Sequence, residues 1–154
     1  MLNFPLDKKE YSKRIKQTKF KIFINKILNI IARFMVYPWV RIKIYKIMGI
    51  NIGKNVFIGL DSYLDDQFPE LIKIEDDVII AFRVILTTHD DSNGTVAPVI
   101  IKKGAYIGAG AIVLAGVTIG ENAIIGAGAV VNKDIPPNCV AVGIPAKVIK
   151  MRNH

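Results

Sequence analysis

The sequence of 154 residues contains one cysteine, Cys139, and two histidines, His89 and the terminal His154. A lone cysteine cannot close an intrachain disulfide, and two histidines without a cysteine cluster do not make zinc-site spacing, so no metal is expected. Long hydrophobic runs are also missing. The longest uncharged stretch of the apolar N-terminal third is residues 34–40, interrupted by Pro38, far short of the ~20 residues that span a bilayer. The early basic residues are not followed by an uninterrupted apolar segment with a small-residue cleavage site, which argues against a secretory signal and for a cytoplasmic protein. Acidic residues are scarce at one end only: residues 1–54 hold 13 Lys and Arg against 2 acids, residues 55–154 hold 8 against 11. That asymmetry divides the chain into a basic arm, residues 1–49, which suits a phosphate-rich or acidic partner, and a remainder, residues 50–154, with another task.

What the remainder does have is a period. Ile101, Ile107, Val113, Ile119, Ile125 and Val131 are spaced by six without a slip, and Ala105, Ala111, Val117, Ala123, Ala129 and Ile135 stand four places after each. A worn earlier series runs through Ile52, Ile58, Ile74, Ile80 and Leu86, with a phase slip between Ile58 and Ile74. Residues two apart share a strand face, so Ala123 and Ile125 both point inward, and a pair such as Gly126-Ala127 turns the chain before the next short strand. Three such turns close a triangle. The pattern predicts a mainly β fold, a left-handed parallel β-helix with about 18 residues per coil, preceded by a helical arm.

The residues just before the inward aliphatics, Tyr106, Ile112, Thr118, Ile124 and Val130, face outward and are mostly apolar. A contiguous apolar face marks an interface. Either a homo-oligomer or the chain's own N-terminal helices should cover it.

The period breaks between Leu86 and Ile101, where 15 residues stand in place of 12 or 18. A polar loop, residues 87–94, must leave the coil there. It carries His89, the one internal histidine and the one credible imidazole for proton transfer near neutral pH.

Dense hexapeptides followed by Pro136-Pro137-Asn138 and by Val142-Gly143-Ile144-Pro145-Ala146-Lys147-Val148-Ile149 resemble the hexapeptide-repeat acyltransferases, over roughly residues 50–150. The stretch from Phe68-Pro69-Glu70 through Leu86-Thr87-Thr88-His89-Asp90 is similar to the small sugar and polysaccharide O-acetyltransferases of that family. The resemblance implies acetyl-CoA as co-substrate, a homotrimer with each site in a cleft between neighbouring prisms, and a sugar hydroxyl as acceptor, in capsule, O-antigen or exopolysaccharide synthesis. It implies His89 as general base. Asp90 is its sequence neighbour and catalytic candidate; Asp65 and Asp61 are equally available to orient the ring and, with Arg83, to hold the acceptor. A backbone amide in the turn Gly108-Ala109-Gly110 is a candidate oxyanion donor. Gly108, Ala109 and Ala127 are expected beside the pantetheine arm, and Asn132, Lys133 and Lys147 toward the CoA phosphates. An N-acetyltransferase for an amino sugar and a non-enzymatic β-helical scaffold remain the alternatives. Glu75-Asp76 and Phe82-Arg83 depart from the family's usual small or glycine-containing pairs, so Arg83 can serve acceptor choice or structure.

Other members fail on inventory. A β-helical carbonic anhydrase needs three histidine ligands. A nucleotidyltransferase needs a further nucleotide-binding domain, which the 49 preceding residues cannot supply, and serine acetyltransferases carry a longer helical N-terminal region. In the arm, Phe20, Phe23, Ile24, Ile27, Leu28, Ile31 and Met35 recur at helical spacing among Lys21, Lys26 and Arg33. They predict an amphipathic helix over about residues 8–35, ended at Pro38, and a second segment over residues 39–48. Its basic and aromatic residues suit the inner face of a membrane, or the helix packs on the trimer. No motif points to nucleic acid.

Overall fold

A computed structural model describes residues 8–152; residues 1–7 of the predicted arm and His154 lie outside the described residues. Two helices, α1 (Lys8–Phe34) and α2 (Pro38–Met48), precede a prism of two- to four-residue strands. The strands stack into three parallel sheets, one per prism face: Asn51–Ile52, Ile72–Ile74, Val99–Ile101 and Thr118–Ile119 on the first; Phe57–Ile58, Ile79–Ile80, Tyr106–Ile107, Ile124–Ile125 and Cys139–Val142 on the second; Tyr63–Leu64, Ile85–Leu86, Ile112–Val113 and Val130–Val131 on the third. This is the left-handed parallel β-helix read from the hexapeptide period.

Each predicted inward residue is buried. Ile58, Ile80, Ile107 and Ile125 are in register on the second face, and Leu64, Leu86, Val113 and Val131 on the third, all fully shielded from solvent. Burying such a side chain is worth about 1.5–3 kcal/mol, so the ladders hold the coils together. The small residues two places earlier, Ala105, Ala111, Ala123 and Ala129, are buried too, because three strands meeting at a narrow corner leave no room for a larger one. Tyr106 of the outward set is exposed, as is Ile79 in register with it, and Ile112, Thr118, Ile124 and Val130 are partly so. The described helices therefore leave the outward ladder of the later coils uncovered.

The helices cap the N-terminal end instead. The first coil has no coil below it, so its outward-pointing carbonyls need donors. Asn29 Nδ2 donates to Leu64 O at 2.7 Å, Asn25 Nδ2 to Asp66 O at 3.1 Å, and Tyr45 Oη to Ser62 O at 2.7 Å. The buried Arg41 guanidinium donates to Ile58 O and to Ala32 O and Met35 O at the end of α1, clipping both helices to the coil. Pro38 opens α2, and Gly49, at φ 111°, closes it with its N–H on Lys46 O.

The predicted apolar stripe of α1 is not the side that packs on the first coil: Phe20, Phe23, Ile24, Ile27 and Ile31 are exposed, and the packed side is Ile22, Asn25, Asn29 and Ala32. An open sheet edge demands amide donors, which asparagine has and Phe or Ile lacks.

Candidate active site

Two departures from the 18-residue coil stack at one corner of the prism. Between Leu64 and Ile72 the first coil makes an excursion containing a short 3-10 turn, Pro69–Leu71. Between Leu86 and Val99 the second coil makes a hairpin, His89–Asp90 paired antiparallel with Thr95–Val96. Both leave the third face on the way back to the first, so they lie side by side.

The hairpin brings His89 to the excursion. His89 Nδ1 donates to Asp65 Oδ2 at 2.5 Å, and Gln67 Nε2 lies 2.9 Å from His89 Nε2. Phe68 meets the ring edge-on, centroids 6.1 Å apart. Asp65 is fully buried and also accepts from Thr88 N, Thr88 Oγ1 and Gln67 N, each at 2.8 Å. Burial opposes ionisation of Asp65, but the hydrogen bonds from His89, Thr88 and Gln67 outweigh it and hold its carboxyl below the ordinary range. Burial likewise opposes charging His89. The hydrogen bond and charge of Asp65, with the charges of Asp91 and Asp66, outweigh that and raise the ring above an ordinary histidine. Bonding of Nδ1–H to a buried carboxylate leaves Nε2 as the basic nitrogen of the neutral ring. The ring lines a cleft of about 530 Å³ together with Thr87, Asp90, Asp91, Asn93, Leu114 and Asn132 among others, an arrangement that suits a general base with its orienting acid.

The acid beside His89 in sequence is not the one that holds it. Asp90 is exposed, and its carboxylate accepts from Ser92 N, Ser92 Oγ and Asn93 Nδ2, which build the hairpin turn. Alternation along the strand turns the Asp90 carboxylate to the hairpin turn and away from Asp65, although both strand residues line the same cleft. Asp65, expected at the acceptor or as one of three orienting acids, takes the ring. Gln67, Phe68 and Thr88 went unnoticed as partners of this pair, although the phase slip before Ile74 marked the position of the first two and the break after Leu86 that of Thr88.

The remaining expected residues divide between this corner and another. Asn132 shares the cleft with His89, and Lys133 follows it, exposed, at the same corner. Gly108, Ala109 and Ala127 occupy the corner between the second and third faces, with Asp61 and Arg83. There Asp61 accepts from Arg33 of α1 at 2.5 Å and pairs with Arg83 Nε at 3.6 Å, beside an apolar cleft of about 890 Å³ that also includes Ala109, Phe82 and Tyr106. Gly108 is buried at this corner. A Cβ there would sit 2.6 Å from Ala127 N, and its amide already donates to Ile125 O at 2.8 Å, as that of Gly110 does to Phe82 O at 3.0 Å. Its smallness serves coil stacking. Ala127 is exposed on the turn above. Lys147 opens the strand Lys147–Met151, which folds back antiparallel on Cys139–Val142. Within one chain, then, the predicted set is split between two corners. Among the described residues no cluster of His, Cys, Asp and Glu is arranged to hold a metal.

A parallel β-helix of hexapeptide coils with a histidine–carboxylate pair on an excursion is the plan of a hexapeptide transferase. The family model for the bacterial transferase hexapeptide matches residues 98–133, and that for the hexapeptide repeat of succinyl-transferase matches residues 49–87. The galactoside O-acetyltransferase of Escherichia coli K12 is 37% identical over 126 residues, 75% of this chain and 61% of that protein. The crystal structure of a maltose O-acetyltransferase from Clostridium difficile 630 is 30% identical with a TM-score of 0.64, covering 92% of this chain and 89% of that one. A galactoside acetyltransferase solved in complex with coenzyme A is 28% identical with a TM-score of 0.67, over 88% and 82% of the two chains. This chain belongs to the hexapeptide-repeat acyltransferase family. It spans less than two thirds of the length of the curated galactoside enzyme.

Proposed function

We propose that the protein transfers acetyl from acetyl-CoA to a sugar hydroxyl, with His89 as general base and Asp65 as the acid that orients it. The observation that carries this reading is the Asp65–His89 hydrogen bond, which leaves Nε2 as the basic nitrogen of a ring that lines a cleft. His89 Nε2 would take the proton of the acceptor hydroxyl as its oxygen attacks the thioester carbonyl carbon. As the carbon–sulfur bond breaks, the same nitrogen returns the proton to the departing thiolate, and Asp65 stabilises the imidazolium between the two steps. The relatives' printed names, galactoside and maltose O-acetyltransferase and a coenzyme A complex, support the donor and the acceptor class. A role in capsule, O-antigen or exopolysaccharide synthesis, where acceptors are carried on membrane lipids, suits the basic arm.

The split of the predicted set between two corners supports a homotrimer. Neighbouring prisms related by a three-fold axis would bring the His89 corner of one against the Ala109–Arg83 corner of the next, joining the base, Asn132 and Lys133 to Ala109, Ala127, Asp61 and Arg83 in one cleft. Ala109 N is then the candidate donor to the developing oxyanion, and Lys133 and Lys147 the cations for the CoA phosphates. Thiol release from acetyl-CoA over a panel of sugars and amino sugars tests the assignment. His89→Ala should lower turnover by about 10²-fold or more with the fold and CoA binding intact. A variant near wild-type activity would remove His89 from the mechanism, and turnover of amine acceptors alone would move the reading to N-acetylation.

A further inference from the structure

We propose that the outward face of α1, continued through the α1–α2 linker, seats the protein on an anionic bilayer surface. Phe20, Phe23, Ile24, Ile27, Ile31 and Phe34 recur at three- and four-residue intervals and are 38–78% exposed. No charge interrupts this stripe, which runs for about 21 Å at 1.5 Å per residue. It lies diametrically opposite Asn25 and Asn29, whose amides cap the carbonyls of Asp66 and Leu64. Those carbonyls belong to the free lower edge of the first coil, because the amides of Tyr63 and Asp65 point the other way, to Val84 O and Leu86 O. The stripe therefore faces away from the prism end, along its axis.

That direction decides between occupants. The side faces of the prism carry the outward ladder, and a cyclic trimer built through them leaves three N-terminal ends pointing the same way. One flat surface could then engage three stripes together, which multiplies a weak contact. A second copy stacked end to end is disfavoured by charge. Residues 1–54 carry 13 cations against 2 acids, so stacking would oppose like charges, whereas an anionic headgroup layer has the complementary sign. Lys19, Lys21 and Lys26 flank the stripe and are exposed. At its end Val36, Tyr37 and Trp39 are 61–71% exposed, with Lys43 Nζ 5.0 Å above the Trp39 ring, the aromatic and cationic pairing suited to the bilayer interface. No helix of the described residues is long and apolar enough to cross a membrane; this one lies on it, with its apolar side buried ~5–10 Å deep.

Vesicle sedimentation tests this independently of catalysis. The full chain should sediment with phosphatidylcholine–phosphatidylglycerol vesicles and not with phosphatidylcholine alone, with binding weakened by salt. Fluorescence of Trp39, the only tryptophan, should shift to the blue on binding. Phe23→Ser with Ile27→Ser should weaken partition by about tenfold or more, and Lys19→Glu with Lys26→Glu should weaken it on anionic vesicles. Both pairs should keep wild-type melting and acetyl transfer to a soluble acceptor. A wild-type chain that stays in the supernatant overturns the proposal, as does undiminished binding by the Phe23/Ile27 pair. Light scattering that shows end-to-end association broken by that pair overturns it in favour of a second copy.

Discussion

Gln67 Nε2 stands 2.9 Å from Nε2 of His89, on the lone pair that would receive the acceptor's proton. The other ring nitrogen donates to Asp65, so the Gln67 amide satisfies the neutral ring. A hydrogen bond to the neutral form lowers a base's affinity for the proton. Gln67→Ala should therefore raise the His89 pKa and move the acid limb of kcat/KM to higher pH. Titration of the imidazole by NMR, with only two histidines to assign, reads this directly. An unmoved His89 titration would show that Gln67 does not engage the lone pair in solution.

Asp65 acts in the opposite direction. Its hydrogen bond and charge raise the His89 pKa against the effect of burial, and only the neutral ring can accept a proton. Activity should fall as pH drops through that raised pKa. Asp65→Asn removes the anion, so the acid limb should move to lower pH while the plateau falls, because the ring loses its orienting partner. Asp90→Asn changes the hairpin turn alone and should leave both limb and plateau close to wild type. Equal losses in the two variants would mean that the hairpin, not the Asp65 hydrogen bond, positions His89.

The outward ladder bears on assembly. Ile112 and Ile124 are partly exposed on the third and second faces, and each heads a strand whose next residue is fully buried. Ile112→Lys or Ile124→Lys should weaken association without melting the prism, since neither side chain points into it. Light scattering checks this, and a monomeric wild-type chain would end the trimer reading.

Much of the fold was legible because a β-helix writes its period into the chain: every inward Ile and Val of the hexapeptide series sits where a spacing of six puts it. The site was half legible. His89 announced itself as the one internal histidine in a broken repeat, but its acid lies 24 residues away in a second break. Sequence proximity favoured Asp90, which strand alternation turns away. Breaks that follow stacked strands, here Leu64 and Leu86, lie at the same corner, and that register pairs residues 65–71 with the hairpin. The packing face of α1 was illegible for a different reason. Apolar periodicity on α1 marks a surface that avoids water, whereas the packing face was chosen by the donor demand of an open sheet edge, which Asn25 and Asn29 meet without leaving any hydrophobic signal.

Ala127 and Ile125, two residues apart, should fail in opposite ways. Ile125 is fully buried in the second-face ladder between Ile107 and Ala141, so Ile125→Ala removes packed methyl groups and should cost roughly 2–5 kcal/mol of stability, lowering activity only through the folded fraction. Ala127 is exposed on the turn stacked over Gly108. There Ala127→Trp meets solvent in the single chain and should leave melting unchanged, but in the proposed inter-prism cleft it would occupy the path of the pantetheine arm. Steady-state kinetics against acetyl-CoA should show a raised KM for the donor with kcat at saturation nearly retained. If donor affinity is untouched while the fold is intact, the pantetheine arm does not pass this turn, and the corner that carries Ala109 and Arg83 serves the acceptor alone.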